Sequence, residues 1–83
     1  MNSPSGFPIL HKDGDSFFNY LISGKMYEIQ VTRECLADVF GSEGGRANDE
    51  AALLDNLQEI VDVVTRKVGA GAASPVQVLS DDF

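Results

Sequence analysis

The sequence predicts an α+β domain of two layers, a small antiparallel sheet packed on helices. Three observations predict it. Residues 16 to 31 hold two β-prone runs around a glycine turn, and residues 53 to 68 place aliphatic side chains at helical spacing. A last short β-prone run follows the helical region. Eighty-three residues suit one domain with one core, because a chain this short buries only about 60% of its unfolded surface. A deep catalytic cleft is hard to build at that size without a partner subunit.

Residues 1 to 6, rich in Ser, Pro and Gly, read as a flexible tail. Phe7 to His11 is a candidate short strand, which Pro8 confines to a sheet edge or a strand start. Asp13-Gly14 is a turn signal. Ser16 to Ile22 and Met26 to Val31 then form a hairpin around Ser23-Gly24-Lys25. A two-residue loop at Ser23-Gly24 sets Tyr20 opposite Tyr27 and Phe18 opposite Ile29, gathering Phe18, Tyr20, Ile22, Tyr27, Ile29 and Val31 on one face. A loop at Gly24-Lys25 preserves that face; a three-residue loop would break it.

Thr32 suits the N-cap of a short helix, with Glu34 favourable to its dipole and Gly41 as its stop. After the Gly-rich stretch 41 to 47, Asn48 is the expected cap of a longer helix reaching about Val68. Leu54, Val61 and Val68 take heptad position a, Leu57 and Val64 position d, and Leu53 and Ile60 position g. Together they form a core-facing stripe. Arg66 and Lys67 close that helix at the end where cations are favourable. Gly69 to Ser74 is a connector, and Val76 to Leu79 a final strand free to pair with either strand of the hairpin.

Across nearly its whole length the chain resembles a small bacterial family catalogued as domain of unknown function 1488. The resemblance rests on Phe7-Pro8, the Gly24 hairpin, the run Val31-Thr32-Arg33-Glu34-Cys35-Leu36 leading into Phe40-Gly41, the Arg66-Lys67 pair and the terminal Asp82-Phe83. It implies a compact α+β fold and carries no activity, so no functional residue transfers from it.

Composition narrows the function. Thirteen acids against six bases give a net charge of -7, which repels nucleic-acid phosphates and anionic membranes where no basic cluster offsets it. One cysteine, Cys35, excludes an internal disulfide and a cysteine-based zinc site. The N-terminus has neither the basic region nor the apolar run of a signal peptide, and no segment approaches the roughly 20 apolar residues of a bilayer span. A cytoplasmic location is expected, with no cofactor, no metal and no catalytic residue.

Four candidate sites remain. Cys35 sits in the first turn of the short helix, where the dipole can stabilise a thiolate, but a buried inert thiol is the favoured reading. His11 lies near Asp13 and Asp15, an arrangement that a solvated turn explains better than a metal or general-base site. The Gly41–Arg46 loop precedes a helix N-terminus where anions bind, yet it lacks the Lys-Ser/Thr of a P-loop, and Glu43, Asp49 and Glu50 oppose an anion. Asp55, Glu59 and Asp62 read as a solvated helix face, with Asp62 and Arg66 as an i,i+4 pair.

The hairpin's second face, bearing Phe17, Leu21 and Met26 beside Asn19, Glu28 and Gln30, is a candidate protein contact. The leading expectation is a non-enzymatic interaction or accessory domain that binds a protein partner or associates with itself, one form being a homodimer through the sheet face or a strand edge. The alternative is a small-ligand or redox protein using Cys35 or the Gly41–Arg46 loop.

Overall fold

The computed structural model describes residues 8–83. Two hairpin turns start the fold. Strand β1 (Leu10–Lys12) pairs antiparallel with β2 (Asp15–Ile22), which pairs antiparallel with β3 (Lys25–Val31). Each turn has positive φ at both central residues: 56° and 87° at Asp13 and Gly14, and 51° and 81° at Ser23 and Gly24. That is the geometry that matches the strands' right-handed twist. The two-residue loop at Ser23-Gly24 sets the expected register, with Tyr20 opposite Tyr27 and Phe18 opposite Ile29. The N-terminal strand is shorter and later than the expected Phe7–His11. Ile9 turns into the core and pairing begins at Leu10, while Phe7 and the expected tail lie outside the described residues.

Helix α1 (Arg33–Asp38) starts where Thr32 accepts a hydrogen bond from the Cys35 N–H, 3.1 Å away. Gly41, at φ 73°, then turns the chain so that the Ser42 N–H donates to the Leu36 carbonyl. The expected single long helix is two. α2 (Arg46–Asp55) begins two residues before the expected Asn48 cap, with Gly45 at its N-cap, and α3 (Leu57–Gly69) follows a break at Asn56. The Asn56 side chain donates back to the Ala52 carbonyl, 2.9 Å away, while its own backbone leaves helical geometry at φ -119° and ψ 24°. Asparagine competes for backbone partners in this way, which is why it ends helices more readily than it continues them.

The break changes which stripe faces inward. Leu53, Ile60, Val63 and Val64 are buried, whereas Leu54, Val61 and Val68, expected at the centre of the seam, are only half-buried. Val63, outside the expected stripe, takes a central place.

Strand β4 (Val76–Val78) pairs parallel with β3, giving the order β1-β2-β3-β4. A parallel neighbour requires a crossover, and α1, α2 and α3 supply it. A single 3-10 turn (Ser80–Asp82) ends the chain. The Phe83 ring packs edge-on against Phe40 at 5.1 Å. Phe18, Ile22, Ile29 and Val31 from the hairpin meet Leu36, Leu53, Ile60 and Val64 in one core. Each such side chain contributes roughly 1.5–3 kcal/mol before ordering entropy is counted. Among the described residues, no helix is long and apolar enough to cross a membrane.

Candidate functional site

Strand alternation decides which side chains remain outside this core. On β1, β2 and β3 the outward positions are Leu10, Lys12, Asp15, Phe17, Asn19, Leu21, Met26, Glu28 and Gln30. The register places Leu10 directly opposite Phe17 and Leu21 directly opposite Met26, two apolar cross-strand pairs. Leu10 is 67% exposed, Leu21 58% and Met26 59%, while Phe17 is half-buried between its neighbours. A shallow depression of about 120 Å³ is lined by Pro8, Leu10, Phe17, Phe18, Asn19 and Glu28. Among the described residues, every helix contributing to the core lies on the opposite side of the sheet.

The expected contact residues Phe17, Leu21 and Met26 are thus on one surface, and Leu10 joins them. Sequence reasoning placed Leu10 in an uncertain strand and so could not assign its face. The signal that finds it is the Asp13-Gly14 turn, which fixes Leu10 opposite Phe17 once a two-residue loop is assumed. The polar end of the same face is organised. Asp15 accepts hydrogen bonds from the Gln30 side chain and from the Arg33 N–H, each at 2.9 Å.

The sheet's β4 edge is blunted. Lys67 Nζ donates to the Gln77 carbonyl at 2.6 Å and pairs with the Asp82 carboxylate at 2.6 Å, so a charged side chain stands where a further strand would add. Burial alone would raise the Asp82 carboxyl, but hydrogen bonds from Lys67 and from the Leu79 N–H outweigh it and hold it below its ordinary value.

Cys35 lies under this same corner and is fully buried. Burial, reinforced by the Asp82 and Asp38 carboxylates and only partly offset by Lys67, pushes its thiol up to about 11. Both facts oppose thiolate chemistry near neutral pH.

The remaining candidates are rearranged. His11 and Asp15 point to opposite faces, because His11 pairs with Ser16 and Asp15 with Lys12. Among the described residues no cluster of His, Cys, Asp and Glu suits a metal. Asp62 accepts from the Gln58 side chain, 3.0 Å away, in place of the expected pair with Arg66. Asp49 is not on a solvated helix start: it is 5% exposed and accepts a short hydrogen bond from the Ser42 hydroxyl, which also accepts from the Gly44 N–H. Its neighbours form a crevice of about 250 Å³ lined by His11, Gly14, Arg33, Gly45, Arg46 and Asp49. The Gly41–Arg46 loop therefore meets the β1–β2 turn in space, which no spacing in the sequence signals.

No family model, curated protein or solved structure matches this chain.

Proposed function

We propose that the chain is a small non-enzymatic interaction domain that pairs with a second copy of itself through the uncovered face of its sheet. The observation that carries this reading is the pair of exposed apolar rungs, Leu10–Phe17 and Leu21–Met26, on a face without helices. Exposed apolar pairs gathered on one sheet face, here on either side of the polar Asn19–Glu28 rung, are typical of contacts.

Charge selects the occupant. The outward face holds one base, Lys12, and two acids, Asp15 and Glu28, a net charge of -1, so most of the chain's charge of -7 lies elsewhere. Two copies of an acidic chain repel one another least when they meet sheet to sheet. The face also carries both signs, so a two-fold arrangement lets Lys12 of one copy approach Glu28 of the other. Edge pairing is less favourable, since β1 and β4 have three residues each and Lys67 guards β4. Strand spacing and rise give a face on the order of 500 Å² per copy, the low end for a specific interface. The expected association is weak and reversible, in the micromolar range.

Light scattering after chromatography, from low to high micromolar concentration, tests this. The wild-type mass rises towards that of a dimer, and Leu21→Lys with Met26→Lys holds it at one chain. A monomer at every concentration, or a dimer indifferent to both substitutions, removes the reading.

A further inference from the structure

The free edge of β4 is closed at each of its outward backbone positions. Successive residues of a strand turn their backbone groups to opposite sides. Val78 turns its carbonyl to the Thr32 N–H on the β3 side. Val76 and Val78 therefore serve the ladder with β3, while Pro75, Gln77 and Leu79 face away from it. Pro75 has no N–H to offer. The Gln77 carbonyl accepts from Lys67 Nζ at 2.6 Å, and the Leu79 N–H donates to the Asp82 carboxylate at 2.8 Å. The Leu79 carbonyl accepts from the Asp82 N–H at 3.0 Å. Lys67 and Asp82 are themselves paired at 2.6 Å. One ion pair thus caps two neighbouring edge positions, as a clasp across the strand's open side.

Pro75, Gln77 and Leu79 are all exposed, and the groups under the clasp are complementary to a second copy of the same edge. Two β4 strands laid antiparallel about a two-fold axis at Gln77 bring each Gln77 N–H to the other copy's Gln77 carbonyl. Each Leu79 N–H then reaches the other copy's Pro75 carbonyl. Both edge donors find an acceptor in this register. The donor that proline lacks falls opposite the Leu79 carbonyl, which the Asp82 N–H already satisfies. A register that set Gln77 opposite Leu79 would compete for that same carbonyl. Beneath its clasp the edge fits itself.

We propose that the Lys67–Asp82 pair is a removable clasp on the β4 edge, and that opening it lets β4 of a second copy pair at Gln77 and continue the sheet across two chains. Closed, it sets an ammonium and a carboxylate where the backbone of an incoming strand must lie. Burying them there would cost both groups their water. Loss of charge at Lys67 frees the Gln77 carbonyl and the Asp82 carboxylate together, because one ammonium holds both. The charge state of a single side chain therefore sets whether this sheet can be extended. The device is separate from the sheet-face contact, whose residues Leu10, Phe17, Leu21 and Met26 belong to β1, β2 and β3.

The test is sedimentation equilibrium of the full chain carrying Leu21→Lys and Met26→Lys, a background that removes sheet-face association. With Lys67 intact this protein should remain one chain from low to high micromolar concentration. Adding Lys67→Gln should bring it to two chains at concentrations about tenfold or more below any at which the clasped protein associates, the worth of one net hydrogen bond. The Gln77 and Leu79 amides should become slow to exchange as it does so. Lys67→Arg keeps the charge and should remain one chain. Gln77→Pro added to Lys67→Gln removes the central edge donor, spares the ladder with β3 because that N–H faces away from it, and should restore one chain. Thr65→Gly weakens α3 at an exposed position away from the edge. It should not associate, which separates edge pairing from aggregation of a loosened fold. A Lys67→Gln protein that stays one chain overturns the proposal, as does association that Gln77→Pro leaves unchanged or that Lys67→Arg or Thr65→Gly matches. The sheet-face reading is judged on the chain without these substitutions, so the two fail separately.

Discussion

Lys67 ties three pieces of the molecule together, because its single ammonium reaches the β4 carbonyl of Gln77 and the Asp82 carboxylate while lying close enough to bias Cys35. Lys67→Met retains the aliphatic stem and removes both polar contacts. It should lower stability by about 1–2 kcal/mol, read from urea denaturation. The pH dependence follows from Asp82. Its folded pKa lies below the ordinary value of 3.8, so its contribution is present above that value and is lost as pH falls through the folded pKa. Lys67→Met should therefore flatten the wild-type loss of stability below about pH 4. Cys35 has the opposite sign. Its pKa is raised from 9.0 to about 11, so its contribution is complete below pH 9 and disappears as pH rises through about 11. Cys35→Ala should abolish that component of alkaline destabilisation, seen as a difference between the two proteins' melting curves from pH 8 to 11. In the native wild type at pH 7 a thiol reagent should label only the unfolded fraction; rapid stoichiometric labelling would contradict the burial of this side chain.

The two hairpin turns show how far a local element can be read from local chemistry. Asp13-Gly14 and Ser23-Gly24 both need positive φ at two successive residues, which few residue pairs tolerate, so turn position and strand register follow together. Gly24 has open space around the site of a Cβ. Gly24→Ala should thus cost about 1–2 kcal/mol through backbone conformation alone, and Gly24→Asn should recover much of it, as chemical denaturation can measure. Thr32 and Gly41 were equally legible, because a cap and a left-handed stop are single-residue signals. The helical region was not. Periodicity across residues 53 to 68 persists through Asn56 because polar residues are expected on a helix's outer side, so one asparagine looked harmless. Its backbone partners are Ala52 and Leu53, and the resulting break rotates the buried stripe toward Val63. The same limit applies to Asp49. Helix-start acids are ordinarily solvated, and only the fold reveals Ser42 beside this one.

At the scale of the whole molecule, the proposed function depends on what the three helices leave uncovered. Placing α1, α2 and α3 in one crossover between β3 and β4 puts them all on the Phe18, Ile29 and Val31 side of the sheet. That leaves Leu10, Phe17, Leu21 and Met26 on the other. The sequence pattern showed the alternation of the hairpin and hence most of this face. It did not show the parallel β4 or the Lys67 guard on its edge, both of which depend on contacts between segments far apart in the chain. The crevice beside Asp49 was equally hidden, since Arg33 and Arg46, thirteen residues apart, come to line one cavity only when the β1–β2 turn reaches α2. Self-association through the uncovered sheet face is the claim on which the functional account depends. Its most direct test is the ¹H–¹⁵N spectrum recorded from about 20 μM to 1 mM protein, the range in which an interface of this size should saturate. The account predicts concentration-dependent shifts confined to the strand residues around Leu10, Phe17, Leu21 and Met26. Spectra that superimpose throughout, or shifts that map to the helical side, would contradict it.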